Sequence, residues 1–199
     1  MLTILDFPKI FNAFTKIVGG DLLAVFVDRY IRPKAGDHIL DIGCGPADIL
    51  SYLPEVEYVG LDINSAYINH ARNRFGNKGR FIAQRVSQGI IKDVSPSGFD
   101  TVLAKGVLHH LNDDEAIQLF ELACFALKPA GRLITFDGCY VKGQSRLTRF
   151  ILSRDRGKYV RTRQEYLGLA STLFKHINVS IHHDLIRIPY THIIMECIA

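Results

Sequence analysis

The sequence predicts an α/β fold: a three-layer sandwich whose sheet is mostly parallel, with helices on both faces and an antiparallel hairpin at its C-terminal edge. Three observations predict it. Apolar runs of strand length alternate with helix-length amphipathic stretches between residues 38 and 137, the pattern of βαβ units. The first strand runs straight into a glycine turn, Ile42-Gly43-Cys44-Gly45-Pro46. The last two strand-like runs, 177–183 and 191–197, lie too close together for a crossover helix, so they are expected to pair as a hairpin.

Each element has its own signal. Residues 2–31 read as a leader of two amphipathic helices broken near Gly19-Gly20. Strand one is placed at 38–42, and Pro46 is expected to open a helix. Strand two follows at 57–61. Asn64 then caps a helix running to about Arg74. Strands three and four are placed at 80–84 and 99–104. Asn112-Asp113-Asp114-Glu115 has capping-box spacing and starts a helix that ends before Pro129. Strand five is expected at 132–136. Thr162-Arg163-Gln164-Glu165 is a second capping box, opening a helix through Phe174. No repeat or linker interrupts this order. One domain over 1–199 is therefore expected: a leader (1–35), a binding core (36–137), an insertion on the substrate side (138–175) and the hairpin (176–199).

Composition agrees with a single packed domain. The chain has 199 residues, 48% of them hydrophobic, enough for a sizeable core. No apolar run approaches the ~20 residues of a membrane helix. Asp6 interrupts the apolar start, and no small-residue cleavage site follows, so a signal peptide is not expected. Cys44, Cys124, Cys139 and Cys197 are scattered without a C-x-x-C. They read as reduced thiols in a cytoplasmic protein.

The glycine turn and Asp62, at the end of strand two, together build a pocket for a nucleoside. The turn lets backbone approach a ligand, and an acid at the tip of strand two accepts from ribose hydroxyls. A dinucleotide fits poorly. Asp48 stands where Gly-x-Gly-x-x-Gly ends, and Pro46 removes an N–H from the phosphate cradle. A cofactor without phosphate is expected.

Four stretches carry a family resemblance. Leu40-Asp41-Ile42-Gly43-Cys44-Gly45-Pro46 resembles the first motif of the class I S-adenosylmethionine-dependent methyltransferases, and Tyr58-Val59-Gly60-Leu61-Asp62-Ile63 the second. The run from Phe99 to Leu111 is similar to the fourth-strand motif, and Leu127-Lys128-Pro129-Ala130-Gly131-Arg132-Leu133 to the turn before strand five. The resemblance covers about residues 36–137. It implies a Rossmann-like sheet of seven strands with S-adenosylmethionine as cofactor. The residues implied to bind it are Asp41, Gly43, Cys44, Gly45, Asp62, Ile63, Val86, Ser87 and Lys105. Two departures stand out. Ala47 replaces the third glycine of the first motif. Arg85 occupies the place of an acid that would accept from adenine, so adenine recognition is expected from backbone at Val86 and Ser87.

Acceptor and chemistry are less sharply drawn. Between Val141 and Arg163 lie eight basic residues and one acid, Asp155, although the whole chain is only +4. Such a run is often a solvated face. Placed after strand five, it is read first as a site for a small anionic acceptor, with Arg146, Arg149 and Arg154 as substrate residues. Leu147, Phe150, Ile151 and Leu152 could instead form an apolar stripe for a membrane surface. Nucleic acid is disfavoured by thin aromatic interleaving. His109, His110 and Tyr140, with Asp137 considered beside them, are candidates for a general base. Each has a bland alternative as a packing, capping or loop residue. No histidine spacing suggests a metal site, and none is expected. The competing functions are methyl transfer to a small molecule, methyl transfer to a lipid or nucleic acid, a nucleotide-dependent oxidoreductase, and a non-catalytic cofactor binder.

Overall fold

A computed structural model describes residues 22–155 and 157–199. Residues 1–21, most of the expected leader, and Arg156 lie outside the described residues. The strands are β1 (His38–Ile42), β2 (Glu57–Leu61), β3 (Arg80–Ile82), β4 (Phe99–Lys105), β5 (Leu127–Tyr140), β6 (Arg161–Thr162), β7 (His176–His182) and β8 (His192–Ile198). The helices are α1 (Leu22–Phe26), α2 (Ser65–Phe75), α3 (Gln88–Val94), α4 (Asp113–Ala126), α5 (Arg146–Ser153) and α6 (Arg163–Ala170). A five-residue π-turn, Val27–Ile31, extends α1.

The sheet runs in the order β3-β2-β1-β4-β5-β8-β7. Strands β1 to β5 pair in parallel, while β8 is antiparallel to both β5 and β7. The predicted hairpin is therefore the sheet edge. The two-residue β6 pairs with the far end of β5. Side chains alternate across the central strands. Ile39, Leu103, Ile134 and Ile194 join Phe26 and Ile68 in one core. Leu40, Val102, Leu133 and Ile193 join Phe120 and Tyr166 in the other. Both faces are thus covered by helices, as parallel strands require. Strand order reverses between β1 and β4, which places a crevice at their carboxyl ends.

The caps are as read: Asn64, Asn112 and Thr162 each accept from their helix, the last two in full capping boxes. The helix expected from Pro46 is not there. Ala47 adopts φ +57°, and only a single 3₁₀ turn, Asp48–Ser51, follows. Pro54 then disfavours helical backbone at Leu53, and β2 begins three residues later. β5 is much longer than 132–136. It starts at Leu127 because Ala130, at φ +63°, and Gly131 turn the chain without leaving the sheet. A side chain at Gly131 would meet the Lys128 carbonyl at 2.9 Å. Helix α3 was not anticipated, although Ser87 caps it.

Candidate functional site

The glycine turn is held from below by β2. The Gly43 and Cys44 amides both donate to the Leu61 carbonyl, at 2.7 and 3.0 Å. Gly43 has φ +71°, and a Cβ there would lie 2.6 Å from a Val107 methyl, so only glycine fits. Asp62 ties the two motifs together. One carboxylate oxygen accepts from the Gly45 amide and the other from the Asn64 amide, each at 2.8 Å. Each oxygen keeps a second lone pair for a ligand.

Asp41 lies beneath the turn, almost fully buried, and accepts from the Tyr58 hydroxyl at 2.7 Å. Its other oxygen has no partner among the described residues. Burial pushes its carboxyl up to about 6, against the opposing effects of the Tyr58 hydrogen bond and the Lys105 charge. The Cys44 side chain packs over Gly60, where an added Cβ would sit 2.8 Å from its sulfur. Its sulfur therefore shapes the floor as well as its backbone. Asp48 does not face a ligand alone: it pairs with Arg74 of α2.

These groups line one end of a cleft of about 880 Å³. Asp41, Gly43, Cys44, Gly45, Asp62, Ile63, Val86 and Lys105 all reach it. Ser87 does not. Its hydroxyl is committed to the Ile90 amide as the cap of α3. Arg85 is exposed at the rim, 3.9 Å from Glu115.

The other end is built from the tips of β4 and β5, α5 and the segment before β8. The two histidines differ sharply. His110 is exposed and lines the cleft, whereas a partly buried packing residue was the bland expectation. His109 is the buried one. Its Nδ1 lies 2.7 Å from Asp137 and its Nε2 3.4 Å from Asp155. Burial alone would lower its pKa, but the hydrogen bonds and charges of the two carboxylates push it up to about 9. Burial acts against Asp155 too, yet His109, the Gly157 amide and the Tyr190 hydroxyl hold it well below the usual carboxylate range. His109 is therefore a cation at neutral pH and has no vacancy for a proton. That corrects its candidacy as a base.

This cation clamps the substrate-side insertion. Tyr159 donates its amide to the His109 carbonyl at 2.9 Å. Gly157 is pressed against the ring, where a Cβ would lie 1.9 Å from Cδ2. Arg161 completes the clamp. It is buried, donating to the Leu108, Tyr159 and Leu111 carbonyls and to Asp113. It belongs to the basic run but is unavailable to an acceptor.

Of the predicted substrate arginines, only Arg154 reaches the cleft, with its guanidinium over Phe150. Arg149 lies over the Tyr140 ring, and neither residue lines the cleft; Arg146 is also outside it. Tyr140 is thereby removed from the base candidates. Leu152 is buried, so it leaves the proposed apolar stripe. Sequence reasoning did not select Asp155, Tyr190 or His192 as site residues. His192 stacks on Phe136 at 4.7 Å, and burial, aided by His182, pushes its pKa down to about 4. No local motif marks these three: Asp155 reaches the cleft from the turn that ends α5, and Tyr190 and His192 through the return of β8 beside β5. Among the described residues no cluster of three or more His, Cys, Asp or Glu side chains is arranged to hold a metal ion.

A model of the methyltransferase domain matches residues 40–133, just under half of the chain. Phosphoethanolamine N-methyltransferase 2 of Haemonchus contortus, solved with S-adenosyl-L-methionine, superposes with a TM-score of 0.69 at 15% identity, over 90% of this chain and 52% of that one. Residues 40–133 are thus similar to a methyltransferase domain, and the fold is the one seen in that solved methyltransferase. Among curated relatives, wheat (Triticum aestivum) phosphoethanolamine N-methyltransferase 1 is 25% identical over 92% of this chain and 36% of its own length. Aclacinomycin 10-hydroxylase RdmB of Streptomyces purpurascens is 28% identical over 68% of this chain and 38% of its own. The chain thus spans little more than a third of the length of those two relatives.

Proposed function

We propose that this chain transfers a methyl group from S-adenosylmethionine to a small acceptor bearing an anionic group. The observation that carries the reading is the continuity of the cleft, from the glycine turn and Asp62 at one end to His110 and Arg154 at the other. S-adenosylmethionine supplies a methyl group already activated on a sulfonium. Asp62, braced by two backbone amides, is suited to orient the ribose. Asp41 supplies negative charge beneath a cationic ligand, and Val86 lines the remaining wall. The chain then contributes chiefly position, holding donor and acceptor together away from water. Arg154 is suited to hold the anionic group. His110 is the side chain placed to take a proton if the acceptor must lose one. The wheat relative, named for phosphoethanolamine, favours an acceptor of this charge. The Streptomyces relative is named for hydroxylation, so the assay must identify a methylated product.

Two tests follow from these roles. With phosphoethanolamine as probe and labelled S-adenosylmethionine, Arg154→Gln is expected to raise the acceptor KM about tenfold, as loss of a charge-assisted hydrogen bond would, and to leave cofactor affinity unchanged. His110→Asn is expected to lower kcat about 100-fold with little change in either KM. Normal kinetics in both variants would remove these residues from the mechanism. The second test concerns pH. A cation above Asp41 favours its charged form, so it lowers the carboxyl pKa from about 6. By linkage, affinity for S-adenosylmethionine is expected to rise as pH increases through about 6 and then level off. Asp41→Asn should flatten that profile in calorimetric titrations.

A further inference from the structure

We propose that α5 and the rim around it form a docking surface for an anionic lipid bilayer. The helix is built for an interface. Thr148 and Leu152 point inward and are buried, and the opposite face carries Phe150 and Leu147, each 57% exposed. Exposed large apolar side chains on one short helix need a partner or a function. The helix and the residues flanking it in sequence carry Lys142, Arg146, Arg149, Arg154 and Lys158, all exposed. Among the described residues none of Arg146, Arg149 and Arg154 is paired with a carboxylate; two of them lie over aromatic rings instead. The acid of this segment, Asp155, is already neutralised by His109.

Exposed apolar side chains on a helix that also carries exposed arginines without a carboxylate partner match a bilayer with anionic headgroups, which takes up both kinds of group at once. A nucleic acid would use the charges but leave Leu147 without a partner. The position adds a consequence. Phe150, Ile151 and Arg154 also line the cleft, so a docked helix would open the acceptor end of the cleft onto the membrane surface. Binding of this kind needs neither cofactor nor turnover and is therefore tested apart from methyl transfer.

The experiment is co-sedimentation of the full chain with vesicles of phosphatidylcholine, with and without phosphatidylglycerol, and a parallel titration with single-stranded RNA. Sedimentation with the anionic vesicles alone is expected, weakened by salt. Leu147→Glu, and separately Arg146→Gln with Arg149→Gln, should each lower the vesicle partition by about tenfold or more. Both should bind S-adenosylmethionine as the parent does, which shows that they are folded. The proposal is overturned if the parent binds neither vesicle, binds both equally or binds only RNA. It is also overturned if either variant sediments like the parent, or if Leu147→Glu dissociates a dimer of this chain in the absence of vesicles.

Discussion

Replacing His109 by Gln should lower the unfolding free energy by about 3–5 kcal/mol, the cost of breaking a buried ion pair from one side. The side chain keeps its approximate volume, but Asp137 and Asp155 lose the cation between them. Asp137 is then left 2% exposed without a counter-charge. The pH dependence gives the effect a signature. The folded pKa of His109, about 9, lies above the unfolded value of about 6.5. Its contribution is therefore complete below about 6.5 and is lost as pH rises through about 9. Asp155 shifts the other way, so its contribution is present above the unfolded carboxylate value of about 4 and is lost as pH falls further. The two shifts describe one interaction and are counted once. Denaturant titrations from neutral to alkaline pH should show the parent weakening while His109→Gln stays nearly flat. Parallel curves would mean that the clamp contributes nothing. Because Asp155 adjoins Arg154, the variant should also raise the acceptor KM more than the cofactor KM.

Asp62→Ala carries the second large effect. Removing a carboxylate that receives hydrogen bonds costs about 1.5–3 kcal/mol, roughly a ten- to hundredfold rise in Kd for S-adenosylmethionine. The same carboxylate also fastens Gly45 and Asn64, so two causes must be separated. A thermal melt without cofactor reports the loosened turn. A double cycle reports the ligand contact: against a cofactor analogue lacking both ribose hydroxyls, the substitution should have little further effect on affinity. An equal loss for both ligands would assign Asp62 to bracing the turn alone.

What was legible in the sequence follows from how local each signal is. The glycine turn, Asp62 and the three caps were readable because a few adjacent residues decide them. Helix α3 was missed because it is only seven residues long and its apolar pair, Ile90-Ile91, shows no period. The helix expected at Pro46 failed for a related reason. Proline marks where a helix can begin, but the left-handed Ala47 that ends this one is imposed by the turn. At the acceptor end the sequence misled where contacts are remote. His109 and Asp155 are 46 positions apart in the numbering, and nothing in either neighbourhood indicates that one neutralises the other. The basic run likewise read as one feature. The structure divides it into a buried clamp at Arg161, a cleft residue at Arg154, and exposed arginines outside the cleft at 146 and 149.

Calorimetric titration of the unmodified chain with S-adenosylmethionine, and separately with NAD, tests the central claim most directly. One site per chain for S-adenosylmethionine and no heat with NAD is the predicted result. Tight binding of NAD without binding of S-adenosylmethionine would contradict it.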